Sequence, residues 1–389
     1  MNNRKRAFQN GLRPILRPAQ RLPLVRSRGP IGTIRPCLYN AGGMVEPNQI
    51  LQGDCIQILN EGKGEWADLV FADPPFNIGY LYHGYNDRQN TKDYLKFSEE
   101  WIRSVYHALK PTGSFYLAIG DEYAADLCVI ARRTVGFNLR NWIIWHYTFG
   151  QQTKAKFAKS HTHILYFTKD PSVFTFNADA VRVASARQTT YADARANPKG
   201  KLPDDTWFLR PQDAARHAYL EASFQKTMKD VAKDASFASA DSQVRRDYFD
   251  ATSDTWNVSR VCGTFNEREG FHGCQMPIGV LNRIVLASSN PGDLVLDPFN
   301  GSGTTAVSAA LLGRQYVGID QSAEYVKFAR TRVENALAAA ESAKSNGKST
   351  EHAIAAVIDP KRASKVKTGT DAFGRPRVPR RRRAEAKSA

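Results

Sequence analysis

The sequence predicts an α/β fold: a doubly wound, mostly parallel sheet with an antiparallel edge, its two halves separated by an inserted region. Three observations predict it. Strand-like apolar runs alternate with helical periods from Ile50 to about residue 140. Two strand-like runs then follow one another directly, and strand–helix alternation resumes beyond Trp256. Alternation calls for helices on both faces of a parallel sheet, and consecutive strands for an antiparallel pair. A chain of 389 residues allows two domains, or one large domain with an insertion.

The elements follow in order. Residues 1–45 are rich in Arg, punctuated by Asn, Gly and Pro, and contain no acidic residue. They predict a disordered basic arm, and a start at Met44 would leave the arm untranslated. Ile50–Cys55 reads as a short strand and turn, and Ile56 and Leu59 begin a short helix. Trp66–Ala72, apolar but for Asp68, reads as a buried strand. Residues 77–90 are polar and contain Tyr80, Tyr82 and Tyr85, which predicts a mobile loop over a site. Lys92–Leu109 is a helix with Phe97, Trp101, Val105 and Leu109 at i+4 steps, stopped by Pro111-Thr112-Gly113. Ser114–Ile119 is a strand, Glu122–Val135 a helix, and Asn141–Tyr147 and His163–Thr168 two strands.

Residues 175–255 are polar and rich in Ala, Asp and Arg, with aromatic and basic residues interleaved, as at Arg182, Tyr191, Trp207, Arg210, Arg245 and Tyr248. They predict an inserted, helix-rich recognition region; a solvated accessory domain is the alternative. Ile278–Ser288 reads as an amphipathic helix, Asn290–Asp293 as a turn and Leu294–Asp297 as a buried strand. Ala306–Leu312 is a helix, Tyr316–Ile319 a strand ending at Asp320, and Glu324–Ala340 a helix. The Ala/Lys-rich stretch from Ser342 closes on Arg380–Arg383 and predicts a disordered basic tail. The divisions are thus an arm (1–45), a first half (46–174), an insertion (175–255), a second half (256–341) and a tail (342–389).

The formal charge of +16 favours a polyanionic partner, nucleic acid by default, although the two basic ends carry much of the excess. Five scattered cysteines form no Cys-x-x-Cys pair, which supports neither a zinc site nor a disulfide framework and fits a reducing cytoplasm. No apolar run reaches membrane-spanning length, and no apolar segment of a signal peptide follows the basic start.

Two motifs carry the chemistry. Asp73-Pro74-Pro75-Phe76 follows a strand, at the end where open α/β sheets place ligands. The prolines remove two donors and stiffen the loop. Asp73 and the Pro74 carbonyl can both accept from one NH2 group while Phe76 stacks on the ring that bears it. A strand-ending turn is the plainer alternative. The second motif, Asp297-Pro298-Phe299-Asn300-Gly301-Ser302-Gly303-Thr304-Thr305, joins a strand to a helix. Its glycines allow close approach of a ligand to the backbone, and the helix start offers free N–H groups. Gly301-x-Gly303-x-x-Ala306 also fits a dinucleotide fingerprint, with Asp320 as ribose partner, so a nicotinamide-dependent dehydrogenase is an alternative. No Gly-Lys-Ser/Thr ends the loop, which excludes a P-loop. Against the dehydrogenase, only a helix, a strand, a helix and a tail follow. The rest of the sheet must come from the segment carrying Asp73, a circular permutation of the usual order.

In this order the two motifs resemble those of the β-class amino-methyltransferases of bacterial DNA, over roughly residues 46–336. Asp73-Pro74-Pro75-Phe76 is similar to their catalytic tetrad, and Asp297–Thr305 to their cofactor loop. His272-Gly273-Cys274-Gln275-Met276-Pro277 resembles the motif preceding that loop, with Met276 where lysine is usual. Gly53-Asp54-Cys55 resembles the one before the catalytic strand. The resemblance implies a circularly permuted, Rossmann-like methyltransferase sheet binding S-adenosylmethionine, with residues 175–255 reading the target. It implies transfer of methyl to adenine N6 of a base flipped from duplex DNA; Asp at the first tetrad position favours adenine over cytosine N4. Asp297, Pro298, Phe299, Gly301, Ser302, Gly303, Thr304, Thr305 and Asp320 are the implied cofactor residues, joined by Gln275 and Pro277. Asp54 is a further candidate, or simply a turn residue. No metal is implied. A cytoplasmic enzyme acting at the nucleoid follows, and a homodimer or a cognate restriction nuclease is compatible with it. A DNA-binding protein without catalysis is the alternative from another class.

Overall fold

The computed structural model describes residues 45–79, 81–82, 85–151, 154–155, 157, 159–183, 185, 193, 195–208 and 275–346. The basic arm, most of the insertion and the tail beyond Asn346 lie outside them.

Strands β1 (Gln49–Gln52), β2 (Ala67–Ala72), β5 (Leu109–Ile119), β6 (Asn138–Gln151), β7 (Lys159–Thr168), β8 (Thr206–Phe208), β9 (Leu294–Asp297) and β10 (Gln315–Asp320) form one eight-stranded sheet. Its order is β1-β10-β9-β2-β5-β7-β6-β8. The run from β1 to β5 is parallel, β7 is antiparallel to both β5 and β6, and β8 is parallel to β6. The expected mixed α/β sheet with an antiparallel part is therefore present. The late strands β9 and β10 sit between the early strands β1 and β2, so the strand leading into the glycine turn and the strand leading into Asp73 are direct neighbours. Asp68 fastens this join, accepting from the Leu294 N–H at 2.9 Å and from Lys110 at 2.8 Å. A second, two-stranded ribbon, β3 (Leu81–Tyr82) and β4 (Tyr85–Asn86), lies within the segment read as a loop.

Helices cover both faces. On one, α2 (Thr91–Ala108) is capped by Asn90, whose side chain accepts from Asp93 N, and buries Trp101 edge-on against Phe115. Burying such a ring contributes about 1.5–3 kcal/mol. The helix ends at Ala108, before the proline. Leu109 already pairs with Ala67, and Pro111–Gly113 fall in a register shift of β5 rather than in a helix stop.

On the other face lie α4 (Ile278–Ser288), α5 (Thr304–Leu311) and α6 (Ala323–Ser345). α4 corrects the amphipathic reading: all its residues, Asn282 and Arg283 included, are buried. The sheet covers one side, through Val280, Leu281, Ile284 and Val285 packed with Leu69, Phe71 and Val295. The turn at Ala178–Val181 packs on Leu286 and Ala287, and Ser308 of α5 donates to Asn282 Oδ1 at 2.6 Å. α6 runs to Ser345, past the expected start of the tail. Two short helices complete the set: α1 (Cys55–Glu61), and α3 (Ala124–Val129), which continues as a π-helical turn to Val135. No helix among the described residues is long and apolar enough to cross a membrane.

Candidate active site

Two loops leave the sheet at the carboxyl ends of adjacent parallel strands. β2 ends at Ala72 and β9 at Asp297, paired through Leu69–Val295 and Val70–Leu296. Asp73 and the glycine turn consequently open into one cavity of about 370 Å³. Asp73 and Pro75 line it from one side, and Asp297, Pro298, Phe299, Asn300, Gly301, Ser302, Thr304 and Thr305 from the other. Asp320, Gln321 and Ser322 add the end of β10. That volume is in the range of small-molecule sites.

The remaining candidates have other places. Pro74 is buried, and Phe76 packs on Gly120, where a Cβ would lie 3.1 Å from its ring. Gly303 has φ +77°, and a Cβ there would come within 2.7 Å of Ala329 Cβ, so its absence lets α5 and α6 close up. Asp54 caps α1, accepting from Gln57 N at 3.0 Å, and its other oxygen accepts from Gln321 Nε2 at 3.3 Å. Gln275 is buried, Met276 lines the cavity and Pro277 precedes α4. His272–Cys274 lie outside the described residues.

The tetrad loop is held from behind. Tyr94 of α2, fully buried, donates its hydroxyl to the Pro75 carbonyl at 2.8 Å, and its ring lies 4.5 Å from that of Tyr123. Asn77, in the left-handed region at φ +56°, donates to Tyr123 Oη at 2.9 Å and to Gln89 O at 3.0 Å, and accepts from Gln89 N at 2.7 Å. Residues 77–90 are thus tied at their base, and Gln89 reaches the cavity. Spacing and periodicity carry no sign of this clamp, because its partners are distant in sequence.

The glycine turn is built around carboxylates. Asp297 accepts from Phe299 N at 2.9 Å and Thr305 Oγ1 at 2.6 Å. Burial pushes its carboxyl up to about 7 despite these bonds. Asp320 accepts from Gly301 N at 2.9 Å and Ser322 N at 2.8 Å, and burial raises it too. Arg332 of α6 donates to Ser302 O at 3.0 Å and to Thr304 Oγ1 at 2.8 Å, lacing the turn to the helix. Phe299 sits against the Trp101 and Phe97 rings at 5.1 and 6.4 Å.

A polar cluster beside Gly120 was not foreseen. Asp121 accepts from His163 Nε2 at 3.1 Å, with Lys159 Nζ 3.2 Å and His161 Nε2 3.4 Å away. Trp142 Nε1 donates to His163 Nδ1 at 2.8 Å. The neutral imidazole therefore keeps its proton on Nε2, pointed at Asp121, and a cation there would have to displace it beside an ammonium. Burial and the neighbouring His161 lower the His163 pKa. Burial raises that of Asp121, but the Lys159 hydrogen bond and charge outweigh it and bring it below the usual range.

The chain is similar to known proteins. Residues 67–331 match a family model described as DNA methylase, of N6/N4 methyltransferases. The chain is 30% identical over 289 residues to the type II methyltransferase M.HpaI of Haemophilus parainfluenzae, covering 74% of each. It is 31% identical over 292 residues to the DNA adenine methyltransferase YhdJ of Escherichia coli, covering 74% of this chain and 83% of that one. Among solved structures, the cytosine-N4-specific PvuII DNA methyltransferase aligns with a TM-score of 0.46 at 16% identity, over 81% of this chain and 94% of that one. A match spanning both the tetrad strand and the glycine turn places this chain in the N6/N4 DNA methyltransferase family.

Proposed function

We propose that the protein transfers a methyl group from S-adenosylmethionine to N6 of an adenine flipped out of duplex DNA, as a permuted, β-class enzyme. One observation carries this reading: Asp73 and the Asp297–Thr305 turn line the same cavity. The strand order, with the late cofactor strands inserted beside the tetrad strand, supports the permuted arrangement.

The residues fit the cofactor. Asp297 and Asp320 line the cavity as hydrogen-bond acceptors, and the buried Asn300 amide has no partner for its donor or acceptor among the described residues. Asp320 would hold the ribose, the Gly301–Gly303 backbone would approach closely, and Phe299 would pack beside it. The bound cofactor supplies an electrophilic methyl.

An exocyclic amine is a poor nucleophile because its lone pair is delocalised into the ring. Asp73 and the Pro74 carbonyl would accept its two N–H bonds, favour a pyramidal nitrogen and turn the lone pair toward the methyl. Positioning and electrostatic stabilisation do this work. Asp73 offsets the positive charge that develops on nitrogen, and a proton leaves during or after transfer. The amine is inaccessible in a duplex, so the base must leave the stack; Phe76 then holds its face, contributing about 1–3 kcal/mol. Asp at the head of the tetrad favours adenine, as does the likeness to an adenine-methylating relative. Methylation by type II relatives is consistent with a restriction–modification setting.

Expression in a methylation-free host, followed by nucleoside mass spectrometry of its DNA, tests the reading. N6-methyladenine is expected, and Asp73→Ala should abolish it while cofactor still binds. N4-methylcytosine alone would overturn the choice of base; unmodified DNA would overturn the activity and favour a binding protein.

A further inference from the structure

Asn300 is the one residue of the Asp297–Thr305 turn that neither motif logic nor the family resemblance assigns a task. Its position is fixed by the main chain: its N–H donates to Ile319 O at 2.9 Å and its carbonyl accepts from Gly303 N at 2.8 Å. Its side chain lies over Gly318 of β10, where any Cβ would collide with the amide. Glycine on a central strand weakens it, so the space it leaves for Asn300 has a cost in strand stability. The residue is only 4% exposed. It lines the cavity, yet neither Oδ1 nor Nδ2 has a hydrogen-bond partner among the described residues. Buried amides are nearly always paired, because an unpaired one loses its bonds to water and regains nothing.

We propose that Asn300 is a cofactor-binding residue whose amide is completed by a group that both donates and accepts. This rests on the S-adenosylmethionine reading above. A carboxamide presents one acceptor and two donors side by side. Two parts of the cofactor match it. The amino-acid end brings an ammonium for Oδ1 and a carboxylate for Nδ2. The nucleoside end brings ribose hydroxyls or the amino and ring nitrogens of adenine. An apolar side chain of the same size would satisfy the protein better in the absence of ligand and serve the ligand worse. That opposition of signs separates a binding role from a structural one.

The test compares wild type with Asn300→Leu, close in volume, in two measurements. The first is the thermal midpoint without ligand. The second is calorimetric titration with S-adenosylhomocysteine and with 5′-deoxy-5′-methylthioadenosine, which lacks the amino-acid end. The expected result is an unchanged or higher midpoint and a Kd for S-adenosylhomocysteine weaker by on the order of tenfold. Loss on that ligand alone assigns the amino-acid end, and equal loss on both assigns the nucleoside end. Unchanged affinity for both overturns the proposal, whatever happens to the midpoint. Should the leucine variant not fold, Asn300→Ala removes the amide without crowding Gly318 and is read by the same titrations. Wild type that binds neither S-adenosylmethionine nor S-adenosylhomocysteine would refute the cofactor reading itself, a result distinct from a variant that binds normally.

Discussion

A single hydroxyl from outside both motifs reaches the tetrad loop. Tyr94 Oη donates to the Pro75 carbonyl at 2.8 Å, one residue beyond the Pro74 whose carbonyl would meet the amine. Tyr94→Phe keeps the ring beside Tyr123 and removes the hydroxyl that donates to Pro75. We expect cofactor affinity and thermal midpoint to stay near wild type while kcat falls about tenfold, equivalent to about 1.4 kcal/mol of transition-state stabilisation. Steady-state kinetics with a duplex substrate would check it, and an unchanged kcat would remove Tyr94 from the positioning of the loop. Asp297 gives a second prediction at this scale. Burial pushes its carboxyl up to about 7 in the folded state, against about 4 in the unfolded chain, so between those values the folded state binds more protons. Its contribution to stability is therefore greatest at acid pH and is lost as pH rises to 7. Asp320, raised in the same direction, adds to the slope. Asp297→Asn should gain stability relative to wild type as pH goes from 4 to 7; urea denaturation across that range would show parallel curves if the assignment is wrong.

Among the elements, the join of β9, the glycine turn, α5 and α6 bears most on the site. Gly303 turns the chain at φ +77° with Ala329 of α6 in the way of any side chain. Gly303→Ala would strain the backbone and push α5 from α6, costing about 1–3 kcal/mol from the backbone alone. A lower thermal midpoint and weaker cofactor binding are expected together, and a midpoint within a degree of wild type would contradict that packing. Element boundaries were legible in proportion to how local their causes are. Ile278–Ser288 and Leu294–Asp297 were readable because their apolar runs are local and Asn290–Asp293 turns between them. The burial of α4 on every side was not, since its covering comes from residues 178–181 and from α5. Nor was the early start of β5, where pairing with β2 overrides the proline signal.

At the scale of the whole molecule, charge and fold are divided. Residues 1–44 hold nine basic side chains and no acid, and residues 347–389 twelve basic and four acidic, so the part between them is close to neutral. Removing both segments should leave cofactor binding unchanged and lower DNA affinity at low salt. The dependence of log K on log salt should also become shallower, as fewer phosphate contacts displace counterions. Binding measured from about 50 to 200 mM salt would decide, and an unaltered slope would move the DNA contacts into the core.

Composition, periodicity and two short motifs by themselves determined the α/β class, the strands that carry the site, and the acid and glycine turn that line one cavity. Each of these is written in neighbouring residues: a strand's alternation or a loop's glycines act over a few positions. Only the tertiary structure decided that β9 lies against β2, that Tyr94 and Asn77 brace the tetrad, that Asp54 meets Gln321, and that Asn300 is buried over Gly318 without a hydrogen-bond partner among the described residues. Those facts depend on which side chains meet across the fold, over separations from about twenty positions to more than two hundred, and such contacts leave no period or spacing in a single chain.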